Sequence, residues 1–242
     1  VHAWDEGVAF YTGTEAGESA DHSAQGEMPY ALAEKRCTNY GTCSGAGGIS
    51  YVNEELFKLF NQGRDTLIAG SCSAVRPILD DIVRLMTVPL VQGTLRYAWK
   101  TGQIGGVDNK LSDQSAKNSA EGSTFAAAVL PQVHKCDATA ATTIRANLDV
   151  ASTTGPMKDG VAAVKTAIES VYDCLGISCT DVGAYQSSGM VKSGMDACTF
   201  APSNDVDSTT SSGATVPMDT DSAAHRAGAA LAGAVVAAAV IA

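Results

Sequence analysis

Between residues 75 and 86 the apolar side chains fall at Val75, Ile78, Leu79, Ile82, Val83 and Met86, with Asp80, Asp81 and Arg84 between them. Steps of three and four gather into one continuous stripe only on a helix. The same period recurs at Leu56, Phe57, Phe60, Leu67 and Ile68, and again at Val161, Val164, Ala167, Ile168, Val171 and Leu175. No run of alternating β-branched residues competes with it. The predicted fold class is therefore mainly α: a multi-helix bundle with long Gly-rich loops. Local signals suggest the boundaries. Asn53 reads as an N-cap ahead of Glu54 and Glu55, and Gly63 as a break in that helix. Pro77 suits a first turn. Pro89 should kink or end its helix near Val88. Pro131 marks a join between two later helices, and Gly176 sits where the last helix should close.

Seven cysteines are an odd number, so at least one has no partner within these 242 residues. The absence of a C-x-x-C motif together with this count fits an oxidising compartment better than the cytosol. Two close pairs, Cys37 with Cys43 and Cys174 with Cys179, straddle predicted helix ends, where local disulfides would pin the turns. Connectivity stays open, because Cys72, Cys136 and Cys198 remain. A zinc site lacks its usual paired-cysteine spacing.

Charge narrows the function classes. Sixteen Lys and Arg against 26 Asp and Glu give a formal charge of −10, which argues against nucleic acid and anionic membrane as partners. The acids are unevenly placed. Asp5, Glu6, Glu15, Glu18, Asp21, Glu27 and Glu34 all precede the first basic residue, Lys35, and His2 and His22 lie among them. Such a segment is either a solvated face or a cation site. If residues 1–13 are helical, His2, Asp5 and Glu6 fall at i, i+3 and i+4 and share one face. An imidazole with two carboxylates is a usable ligand set for iron, manganese or zinc. Trp4, Val8 and Tyr11 would then form a separate, core-facing stripe. Tyr11 and Tyr30 bring phenolic oxygens that suit ferric iron, with a core role as the alternative. Glu34 closes the acidic segment and joins the candidate ligands. Arg36 offers a bidentate seat for an anion, or a cap or partner for a nearby acid.

The chain divides by composition into residues 1–198, a helical domain; residues 199–226, a Ser/Thr/Asp-rich linker; and residues 227–242, an uncharged Ala-rich tail. The linker is too poor in apolar side chains to offset its ordering entropy. Small residues, a polar spacer and a terminal apolar stretch form the pattern of a GPI-attachment signal, with Ser212 as the attachment residue. The tail is shorter than the roughly 20 residues a membrane span needs. The chain starts at Val1 without a Met, and the expectation is that it is the C-terminal part of a longer protein. No G-x-S-x-G, H-E-x-x-H, P-loop or G-x-G-x-x-G motif is present, so no enzyme is expected.

Five stretches carry a family resemblance: VHAWDEGVAFYTG (Val1–Gly13), YALAEKRCTNYGTC (Tyr30–Cys43), VNEELFKLFNQG (Val52–Gly63), VPLVQGTLRYAW (Val88–Trp99) and LGISCTDVG (Leu175–Gly183). With them the chain resembles the algal iron-assimilation proteins, the low-iron-inducible periplasmic proteins, and more distantly the phytotransferrins. The resemblance implies a secreted helical protein in the periplasmic space or at the cell surface of a green alga, where it assists high-affinity iron uptake under iron limitation. It implies iron as the bound ion, ferric in preference, with carbonate beside it and Arg36 facing the carbonate. It implies a membrane ferric transport or reductase system as partner, while the charge balance leaves no nucleic acid and the tail pattern leaves membrane contact only through a lipid anchor. The competing reading is a GPI-anchored cell-wall or adhesion protein with no metal role.

Overall fold

The computed structural model describes residues 1–13, 27–44, 48–102, 115–151 and 157–199. Ser212 and the 200–242 linker and tail lie outside the described residues, as do Glu15, Glu18, Asp21 and His22. Among the described residues the chain forms α1 (His2–Thr12), α2 (Pro29–Tyr40), α3 (Tyr51–Ile68), α4 (Val75–Thr101), α5 (Ala116–Cys136), α6 (Ala138–Leu148), α7 (Gly160–Glu169), α8 (Tyr172–Leu175) and α9 (Cys179–Val182). A two-residue antiparallel hairpin, β1 (Gln186–Ser187) with β2 (Met190–Val191), is the one sheet described. The protein is helical, as its periodicity requires.

Helix α4 is the axis of the bundle. It packs against α3 and α2 on one side and against α5 and α7 on the other, and α6 fills the angle between α5 and α7. Pro89 does not end it. A proline inside a helix costs about 3 kcal/mol, but every residue from Thr87 to Leu95 is buried. Val88, Leu90, Val91 and Leu95 alone bury enough apolar surface, at roughly 1.5–3 kcal/mol each, to outweigh that cost. Pro131 is likewise carried within α5. The join falls later, at Asp137, whose carboxylate accepts from the backbone N–H of Thr139 (2.7 Å) and Ala140 (3.2 Å) and starts α6. The expected single helix from Val161 to Leu175 divides at Ser170, which turns its hydroxyl onto the Ala167 carbonyl (2.9 Å). Gly176 closes α8 at φ 70°, as predicted.

Gly63 does not break α3. It is a notch: a Cβ there would lie 2.2 Å from the Trp4 ring. Trp4 reaches in from α1 and donates its indole N–H to the Phe60 carbonyl (3.0 Å). Asn53 is not the cap of α3. The helix starts two residues earlier, and Asn53 is fully buried inside it.

Three disulfides fasten the bundle: Cys37–Cys43, Cys136–Cys174 and Cys179–Cys198. The first is the local pair expected from sequence. The pairing of Cys174 with Cys179 does not form, because α8 lies against α5 and brings Cys174 to the end of that helix, leaving Cys179 to Cys198. Loop separations of 38, 19 and 6 residues correspond in the chain-entropy view to about 4, 3 and 2 kcal/mol, so the bridges sequence did not pair contribute most. Cys72 is free and exposed.

Gly63→Ala tests the notch. Alanine improves helix propensity by about 0.5–1 kcal/mol, while overpacking against Trp4 costs about 1–3 kcal/mol. The expected result is a lower Tm with a shifted tryptophan emission. Gly7→Ala, where nothing lies within 4 Å of the new Cβ, should raise Tm. An unchanged Tm in Gly63→Ala would show that Trp4 does not depend on the notch.

Candidate functional site

Helix α1 presents two faces with different chemistry. His2, Asp5 and Glu6 are all exposed on the outer one. None of the three takes part in a side-chain hydrogen bond or ion pair among the described residues. On the inner face Trp4 and Val8 pack against the core, and Tyr11 is buried. The candidate ligands therefore divide. His2, Asp5 and Glu6 share an open face, whereas Tyr11 and Glu34 lie inside the protein. No group of three or more His, Cys, Asp or Glu placed to hold a metal occurs among the described residues.

The buried half is a closed hydrogen-bond network centred on Asn53. The Tyr11 hydroxyl donates to Asn53 Oδ1 (2.5 Å). Asn53 Nδ2 donates to Glu34 Oε1 (2.6 Å) and to the Tyr30 carbonyl (3.1 Å). The Ser50 backbone N–H donates to both Glu34 oxygens (3.1 and 3.0 Å). Burial, and then the nearby Glu34 carboxylate and Tyr30, hold the Tyr11 phenol well above its ordinary pKa. A phenol so held is a hydrogen-bond donor, not a phenolate ligand. Tyr30 is also buried, with its ring packed edge-on to Phe57. These groups join α1, α2 and α3 and have their hydrogen-bonding capacity turned inward. The structure brings Tyr11 and Glu34 together in this network and does not bring either together with His2, Asp5 and Glu6.

Arg36 lies elsewhere, on the face of α2 that meets α4. It is 4% exposed, and its Nε and Nη1 have no hydrogen-bond partner. The charged group nearest in effect is Arg96 of α4, and the phenols of Tyr97, Tyr40 and Tyr185 are close by. Among the described residues it neither caps a helix nor pairs with an acid. Burial and then Arg96 lower its pKa.

Sequence reasoning missed Asn53, because Asn before a pair of acids has the form of a cap. It also missed Arg96, although a signal was present: Arg96 interrupts the apolar run from Leu90 to Trp99. A charge inside a stretch that must be buried calls for a partner.

Asn53→Ala removes the donor to Glu34 and the acceptor of Tyr11. It is expected to cost about 3 kcal/mol, seen as a lower denaturation midpoint in urea. Retained stability would mean that water replaces the amide. A second measurement follows from Tyr11, Tyr40 and Tyr172, whose phenols burial holds well above 10.0. The folded state keeps these protons above pH 10, where the unfolded chain releases them. Stability is thus complete below about pH 10 and falls above it, by about 1.4 kcal/mol per pH unit for each tyrosine. Phenolate absorbance from the three should rise together with loss of helical circular dichroism. Titration of every tyrosine with the helices intact would contradict their burial.

A family model described as low iron-inducible periplasmic protein matches residues 1–206 of the 242. No curated protein and no solved structure matches the chain.

Proposed function

The chain belongs to the low iron-inducible periplasmic protein family, and from that premise we propose that it is a non-enzymatic iron-binding protein assisting high-affinity iron uptake when iron is scarce. The observation that carries this reading is the family match across residues 1–206, which includes every described element. The three disulfides agree with an oxidising compartment outside the cytosol. No helix among the described residues is long and apolar enough to cross a membrane.

The outer face of α1 is the part of the described protein best suited to the ion. His2, Asp5 and Glu6 project from one helical face into water, uncommitted to other side chains among the described residues. Carboxylate oxygens and an imidazole suit ferric iron. Three ligands on an open face leave coordination positions for water or for an acceptor, which fits a protein that concentrates iron and passes it to a membrane transport or reductase system. Carbonate beside the iron belongs to the same proposal. Arg36, whose Nε and Nη1 have no hydrogen-bond partner among the described residues, is the residue proposed to face that anion. A lipid attached at Ser212 would hold the protein at the cell surface, a reading that rests on the sequence pattern.

Ferric and ferrous titration of the full-length chain, with and without bicarbonate, tests the proposal. Saturable binding is expected. Replacing His2, Asp5 and Glu6 together by Ala should weaken it at least about tenfold, equivalent to about 1.4 kcal/mol. Tyr11→Phe should change it less than about twofold, since that hydroxyl is engaged inside. Full binding by the triple variant would remove the site from α1. No saturable binding of either ion would favour the wall or adhesion role.

A further inference from the structure

A cavity of about 160 Å³ lies where the end of α7, α8 and the start of α9 meet. Tyr172, Ile177 and Cys179, all buried, line it together with half-buried Cys198. The Cys179–Cys198 bridge is thus part of its wall. An apolar cavity of about 150 Å³ takes up one molecule of benzene, so this space has the size of a single phenyl ring.

The polar groups around the cavity do not call for a polar occupant. Glu169 is paired with Lys165 at 2.6 Å. Ser170 gives its hydroxyl to the Ala167 carbonyl (2.9 Å). Ser178 bonds with Asp181 in the capping box that starts α9. Asp173 is exposed, and water satisfies its carboxylate. A charged or hydrogen-bonding guest would give up its own water without gaining partners here, whereas an apolar one loses nothing by entering.

The chain itself carries such a group beside the opening. Cys198 lines the cavity, and Phe200 is two residues further on. Two residues span at most about 7 Å, so the Phe200 backbone stays within that distance of the cavity wall. Phe200 is the one aromatic residue after Cys198. The family match also continues past the bridge to residue 206 and takes in Phe200.

We infer that Phe200 is the occupant of this cavity, its ring filling the space and covering the Cys179–Cys198 bridge. The fold then ends beyond Phe200 rather than at Cys198. A covered bridge exchanges more slowly, because an attacking thiolate has to reach one of its sulfurs. The inference goes beyond the iron reading and does not rest on it, since it uses no residue of α1.

The test uses the full-length chain carrying Phe200→Ala or Phe200→Leu. Phe200→Ala should lower Tm by several degrees. Benzene should bind the emptied cavity and raise the Tm of that variant saturably, while the wild type, whose cavity is filled, does not respond. Dithiothreitol reduces a bridge to two thiols and is itself oxidised to its cyclic disulfide. It should open Cys179–Cys198 at least about fivefold faster in Phe200→Ala, read by alkylation and peptide mass, with Cys136–Cys174 unchanged. Phe200→Leu should fall between the two proteins, and its reduction rate decides should Phe200→Ala not fold. An unchanged Tm, an unchanged reduction rate, or a lower Tm without rescue by benzene would overturn the inference. Equal stabilisation of wild type and variant by benzene would overturn it too, and would show a cavity open to small aromatics from outside. Both variants should bind iron as the wild type does, so failure of the iron site and failure of this one are told apart.

Discussion

The middle of α4 is buried on every side, and the rest of the bundle follows from that. A helix with a single apolar stripe can lie on a surface; one that is buried all round must be surrounded. From Thr87 to Leu95 every residue of α4 is buried, and α2, α3, α5 and α7 all pack on it. The same enclosure explains the polar contacts along it. Gln92 sits in the buried stretch because its side-chain amide donates to the Val182 carbonyl (2.9 Å) while its own carbonyl receives Tyr40. Thr94 returns its hydroxyl to the Leu90 carbonyl (2.9 Å). Apolar burial draws the helices together, and these few directional bonds decide how they are rotated.

Helical periodicity was legible along α3, α4 and α7, since each stripe reports a face that must be covered. Local punctuation was less faithful. Pro89, Pro131 and Gly63 each carry a real local penalty, but its size is a few kcal/mol and the burial around them exceeds it. Gly63 even acquires a use, as the place where Trp4 enters. The ends that sequence located well are those where a side chain or a glycine makes the turn itself, as at Gly176. Disulfide partners were legible only where the two cysteines lie on one turn, as Cys37 and Cys43 do. Cys136 and Cys174 meet because α5 and α8 pack, and chain separation holds no information about that.

The candidate site shows the same division. The spacing of His2, Asp5 and Glu6 specifies a shared face on α1 as soon as the helix forms. Whether Tyr11 and Glu34 would join them depended on which side of the helix faced the core, and Trp4 settles that by docking into α3. The outcome is a protein that sorts its charge. Exposed acids and a histidine occupy the outside of α1, the buried Glu34 carboxylate is satisfied by amides, the buried Glu121 carboxylate by Lys117, and among the described residues the buried Arg36 guanidinium forms no ion pair.

The Cys179–Cys198 bridge has a mechanical meaning. It closes a loop that holds α9, the β1–β2 hairpin and Met195, which is buried. Any pull on the chain beyond Cys198 enters the fold through sulfur at Cys179 and bypasses everything in that loop. The hairpin rests on four strand residues, and without the bridge it would be the first element to peel away under tension. With the bridge, load passes directly to α9, which packs against α4. A domain tethered from this end would therefore resist being unzipped residue by residue and would yield only by detachment of a whole helix.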